Sequence, residues 1–386
     1  MRRLSLLHFS IAGLLFWGLP AVFVVGPQAI IYTVAAVLPV WLLTLRKSDV
    51  PARPAQKLST ATCAVLTGFS LIYLIGDSLF GRQMLQYNMF LFRTAGVDRL
   101  IEGANTGMSK GGGVADLLGS ILLLLPFGLI DSTRLASKYA RSALWSIAII
   151  ILFYQAGSGR AAVLMAVMAI AFGKSSDWRR ILVAVGLALA AFAVASSFRG
   201  DTANTDVPLL NGIAWPFINL GLMLDAHCGT APWYSFIAEF LKKFLPAFLF
   251  PKTIFSFNME MSLCVYPSAD NAVTSVSVYT WLGEIFYYKP SLLTAVLAGC
   301  LLAILAWVVD RRFVANQMYS ARLFAGLLCF NYPRSRTQDM FTFLIGQFIF
   351  LVFVFPFLTN LTRMLRRFLM PANPAGVQPE PGREAS

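Results

Sequence analysis

Charge is scarce in this chain. Asp, Glu, Lys and Arg make up 13% of its 386 residues, about half the ~25% of an ordinary soluble domain. With 58% of positions hydrophobic, that scarcity excludes soluble globular, disordered, fibrous and disulfide-scaffold classes. Histidine is nearly absent, with two residues, and the five cysteines form no CxxC pair. No HExxH or Walker A loop occurs, so zinc hydrolysis and ATP-driven transport lose their usual markers. No cofactor or metal is expected.

What is present is a series of long apolar runs. A bilayer core of ~30 Å takes roughly 20 apolar residues per helix, with ~17–25 tolerated. Such runs, some of them short, lie at 8–25, 27–45, 58–80, 114–130, 142–156, 160–173, 181–198, 291–309, 317–330 and 341–360. The Gly26-Pro27 pair divides the first two, because proline supplies no N–H to a continuing helix. The expectation is an all-α, polytopic integral membrane protein of about ten transmembrane helices. The first run follows Met1-Arg2-Arg3 and ends without a small-residue cleavage pattern, which reads as an uncleaved anchor.

The net charge of +13 is then a topological signal. With the N-terminus in the cytoplasm, the alternating segments place eighteen positive charges and six acids inside, and twelve of each outside. Every inside loop is short and basic, which is the positive-inside pattern. Both termini are expected in the cytoplasm, and the basic loops serve orientation and anionic-lipid contact, with no nucleic-acid partner implied.

Residues 1–370 read as one polytopic domain and 371–386 as a proline-rich disordered cytoplasmic tail. Two outer segments are long, 81–113 and the large periplasmic loop 199–290. The loop holds apolar stretches at 208–224 and 233–257. These are interfacial or re-entrant helices, the reading that Lys242-Lys243 favours, or a further pair of spans that raises the count to twelve. Cys228 and Cys264 share this loop, where an oxidising compartment would let them pair; the sequence gives no distance between them.

Several arginines stand where the orientation rule does not want them. Arg160 closes Gly157-Ser158-Gly159-Arg160 ahead of an apolar helix, and Arg199 follows the seventh run. Arg334 and Arg336 sit in Tyr332-Pro333-Arg334-Ser335-Arg336, and Arg322 lies inside an apolar run. A guanidinium forks onto phosphate oxygens and stays charged, and a helix N-terminus adds N–H donors for an anion. The plainer alternative is snorkelling to lipid phosphates or pairing with Asp339, Asp201 or Asp116.

These features resemble the Wzy-type O-antigen or oligosaccharide repeat-unit polymerases. The likeness rests on Gly157-Ser158-Gly159-Arg160, the late outer loop, Ser268-Ala269-Asp270-Asn271, Thr280-Trp281-Leu282-Gly283-Glu284-Ile285-Phe286, and Pro333-Arg334-Ser335-Arg336 with Asp339. The resemblance implies a multi-pass protein of the bacterial inner membrane that works at its periplasmic face. It would polymerise undecaprenyl-diphosphate-linked glycans, with membrane lipids and a chain-length regulator as further partners. Arg160, Arg199, Arg334 and Arg336 would bind the diphosphate. A general base would come from Glu284, Asp225, His227, Asp270 or Asp339, and loop aromatics such as Trp215, Trp233 and Trp281 would stack on sugars or anchor at the interface. An O-antigen ligase is the second reading, although Asp225-Ala226-His227-Cys228-Gly229 does not match the His motif of that family. A lipid or polysaccharide transporter is a third, disfavoured because no internal repeat is visible.

Overall fold

The computed structural model describes residues 5–45, 58–76, 114–132, 143–148, 208–228, 280–288, 292–334 and 337–369, with a few isolated positions between them. The described elements are helices. Helix α1 is Leu6–Gly18, prolonged by a 3-10 turn, Leu19–Ala21, and a last helical turn, Val22–Val25. Then come α2 (Gln28–Leu45), α3 (Thr60–Gly76), α4 (Val114–Ser132), α5 (Pro208–Asp225) and α6 (Trp281–Tyr287). The chain closes with α7 (Leu292–Ala315), α8 (Tyr319–Asn331), a 3-10 turn (Tyr332–Arg334), α9 (Thr337–Ile349) and α10 (Phe355–Leu369). A π-turn, Phe350–Val354, joins α9 to α10 without a break in direction.

Among the described residues, four segments are long and apolar enough to cross a bilayer: Leu6–Val25, Gln28–Leu45, Leu292–Ala315 and Met340–Leu365. Their surfaces agree with that assignment. On α7, Leu293, Leu297, Leu301 and Ile304 form one exposed stripe, and on α2 Ile31, Val34, Leu38 and Leu42 do the same. Facing inward are Ser10, Thr33, Glu284 and Gln347, all fully or almost fully buried. Leucine outside and polar groups inside is the arrangement that hydrocarbon, not water, stabilises. The chain is an all-α membrane protein. The expected runs at 160–173 and most of 142–156 and 181–198 lie outside the described residues, as does the tail after 370.

Small residues bring the helices together. The buried face of α2 (Ala29, Thr33, Ala36 and Val40) serves two neighbours, with Ala36 against Gly299 of α7 and Thr33 against Gly18 of α1. At Gly299 a methyl group would collide with the backbone carbonyl of Ala36. In the same way Gly13 of α1 meets the backbone of Phe330 on α8, and Gly326 of α8 meets the Phe9 ring. Without a hydrophobic drive between helices in lipid, this close backbone approach and its dispersion contacts supply the attraction. Two helical hairpins thus pack face to face, α1–α2 against α7–α8, with α4 and α9 against the second. The first hairpin turns at Gly26, whose φ of +80° with open space beside it suits glycine alone.

Helix α5 packs along α1 and its continuation: Trp17 stacks on Phe217 and, further along both, Val24 sits over Gly221. Phe217, Leu220 and Met223 form its buried face, and that apolar face is what draws it in.

Candidate active site

Two carboxylates at opposite ends of the bundle hold helix N-termini, and only one of them lies near the predicted site. At the end that carries Leu6, Asp131 accepts the backbone N–H groups of Ser320 (2.6 Å) and Ala321 (3.2 Å) in the first turn of α8. Beside it Arg322 makes a two-pronged ion pair with Asp310, Nε to Oδ1 at 2.6 Å and Nη2 to Oδ2 at 3.2 Å. Leu6 N–H also points at Asp310 Oδ1, at 3.5 Å. The expectation that Arg322 is an anomalous intramembrane cation is therefore corrected. It stands in the first turn of α8, and its partner is the acid at the end of α7, which was not among the acids anticipated for pairing.

The other end gathers Glu284, Arg334, Asp225 and His227. Helix α6 is only seven residues long but buries Trp281, Leu282 and Ile285 together with Glu284, which is 1% exposed. Glu284 Oε2 accepts the backbone N–H of Thr337 at 2.6 Å. Thr337 opens α9, whose first amides have no partner within the helix, and the positive end of the helix favours a carboxylate there. A charge buried this deeply is tolerable only with such compensation.

The chain just before Thr337 is fastened by aromatics. The Tyr332 ring stacks on Phe343 with centroids 5.1 Å apart. The Arg334 guanidinium lies 5.7 Å from the centre of the Trp17 ring, within cation–π range. Trp17 in turn stacks on Phe217 of α5 at 6.3 Å. Arg334 thereby joins α1, α5 and the start of α9. The indole Nε1 atoms of Trp17 and Trp281 are buried with no hydrogen-bond partner among the described residues.

Asp225 ends α5, and both it and His227 are exposed. His227 takes the left-handed conformation, φ +49°, which is uncommon outside glycine. Its Nδ1 lies 2.8 Å from the carbonyl oxygen of Asp225. A carbonyl only accepts, so in the neutral ring the proton sits on Nδ1 and the Nε2 lone pair is left available. Cys228 and Cys264 form a disulfide, the pairing left open by the sequence. Just beyond it Ala231 N–H bonds to Tyr287 O at 2.8 Å, fastening this segment to the end of α6.

Of the residues singled out in the sequence, Glu284 bonds the amide of Thr337, three residues on from Arg334, and the segment after Asp225 and His227 is tied to the end of α6 through Ala231 and Tyr287. Asp339 falls in the first turn of α9. Arg160, Arg199, Arg336 and Asp270 lie outside the described residues. No group of three metal-ligating side chains comes together among the described residues. Trp17 and Thr337 were missed: Trp17 does not stand out from the apolar run around it, and Thr337 takes part through its backbone amide, which no side-chain pattern marks. Comparison with protein-family models, curated proteins and solved structures gave no match, so the function of this end is argued from its residues.

Proposed function

We propose that the chain is a membrane glycosyltransferase that polymerises lipid-diphosphate-linked oligosaccharide repeat units at the periplasmic face of a bacterial inner membrane. The N-terminus and the Asp131–Asp310 end then lie in the cytoplasm, both termini share that side, and the helices number about ten. The observation that carries the reading is Arg334, held over Trp17 at the same end of the bundle as Glu284 and His227. A substrate with a polyprenyl tail approaches through lipid, and its diphosphate arrives at headgroup depth beside that guanidinium.

The chemistry follows from the charges. The acceptor hydroxyl attacks the anomeric carbon of the donor glycan while the bond to the diphosphate oxygen breaks. The lipid diphosphate leaves with the electron pair, and Arg334, joined by Arg160, Arg199 and Arg336, stabilises the negative charge as it develops. The hydroxyl proton passes to a general base. His227 suits this role through its available Nε2, with the exposed Asp225 carboxylate as the alternative.

The test uses the purified protein in phospholipid vesicles with an undecaprenyl-diphosphate-linked repeat unit. Wild type is expected to yield a ladder of longer lipid-linked glycans, and His227→Ala to slow it by about 10²-fold or more. In the native host, loss of polymerase leaves single repeats attached to the surface lipid, whereas loss of a ligase leaves nothing attached. The second pattern, or no ladder from the wild-type protein, overturns the proposal.

A further inference from the structure

The geometry points to Glu284 as a positioning residue that fixes the start of α9, three residues on from Arg334, and not as the general base. Helices are ordinarily capped by Ser, Thr, Asp or Asn at the residue before the first turn. Here α9 begins at Thr337 and the preceding residue is Arg336, whose side chain carries donors only and cannot accept an amide proton. The cap comes instead from Glu284, 53 residues earlier in the chain. Supplying the acceptor from another helix leaves the local position to a guanidinium.

The surroundings fit a clamp. Helix α6 is wedged into the bundle by Trp281, Leu282 and Tyr288, each at most 1% exposed, so its carboxylate has a fixed origin. The chain around it is fastened by Tyr332 on Phe343, Arg334 on Trp17, and Thr337 on Glu284. Pro333, buried between the first two, holds its own φ near −65°. Releasing the Glu284–Thr337 bond loosens the start of α9, three residues on from Arg334. A displacement of about 1 Å in a charge-stabilising group is enough to lower a rate ~10²-fold. A base, by contrast, must reach substrate, and Glu284 is buried at 1% with its oxygen turned to a backbone amide.

As an account of rate this rests on the polymerase reading, and glutamine separates the two roles. Glu284→Gln keeps a carbonyl oxygen for the Thr337 amide but cannot take a proton. The clamp predicts that Glu284→Gln polymerises within about threefold of wild type with the same pH–rate profile, while Glu284→Ala falls about 10²-fold in kcat. A loss of about 10²-fold or more in Glu284→Gln, with disappearance of the acidic limb of the profile, would make it the base and overturn the inference. Full activity in Glu284→Ala would overturn it as well. Thr337→Pro removes the donor at a position where proline suits a helix start, so it tests the same bond from the other side and should match Glu284→Ala.

Hydrogen exchange gives a readout independent of activity. The Thr337 amide is expected to be protected in wild type and Glu284→Gln and to exchange at least tenfold faster in Glu284→Ala. Equal protection in all three refutes the clamp. Should wild type make no polymer while the exchange pattern holds, the polymerase reading falls and the clamp stands.

Discussion

At one end of the bundle Asp131 accepts two amides from the first turn of α8, and at the other Glu284 accepts the first amide of α9. The device is the same, an acid borrowed from a distant helix to cap an N-terminus, but the neighbours differ. Around Asp131 the charges are spent on each other: Arg322 forks onto Asp310, and the backbone of Leu6 turns to the same acid. Backbone bonds from Arg53 to Ala315 and from Leu58 to Ser132 close the linkers over this end. Around Glu284 the guanidinium of Arg334 lies over an indole, and a histidine stands exposed in a left-handed turn. One end is thus tied by an ion pair and backbone caps, and the other sets a guanidinium over an aromatic face beside an exposed histidine.

The comparison can be broken at either end. The largest effect belongs to Arg322→Ala, which strands Asp310 in a site where both side chains are less than 15% exposed. Breaking such a pair from one side costs about 3–5 kcal/mol, and thermal unfolding in detergent should show it while the rate per folded molecule is unchanged. Arg334→Ala should do the reverse. Losing one charge-stabilising donor lowers kcat by ~10²–10³, about 2.7–4 kcal/mol, and the cation–π contact contributes only about 0.5–2 kcal/mol to stability. A single variant that moved both quantities together at both ends would erase the distinction.

Midway between the ends, Gly299→Ala drives a methyl group into the Ala36 backbone. Overpacking of this kind costs about 1–3 kcal/mol, and the melting temperature should fall with turnover intact. Asp131→Ala is the mildest, ~0.5–2 kcal/mol for a lost cap, and Asp131→Asn should recover most of it because an amide oxygen still accepts. If Asp131→Asn were inactive although folded, the Asp131 end would have a chemical role after all.

Helix positions were legible because the signal is local. A run of apolar residues as long as a bilayer is thick announces itself, and the boundaries of α1, α2, α4, α7 and α8 fall within a few residues of the runs, apart from the inner end of α7. Proline was a less dependable guide. Pro39 and Pro126 lie inside continuous helices, whereas Gly26-Pro27 ends one, because there the glycine takes φ +80°. The partners of charged groups were not legible. Glu284 was singled out as a reactive acid, yet it accepts from an amide 53 positions away. Arg322 looked solitary in an apolar run because its acid lies across the turn at the end of α7. The role of Trp17 depends on α5 and the Arg334 turn folding over it, which no pattern within α1 foretells.

The pairing of hairpins also bears on how the molecule is made. Helices α1 and α2 are made before α7 and α8, but the faces they present through Gly13 and Ala36 fit Phe330 on α8 and Gly299 on α7. The earlier pair must wait in the membrane for the later one, and until then its seams of small residues face lipid or other helices.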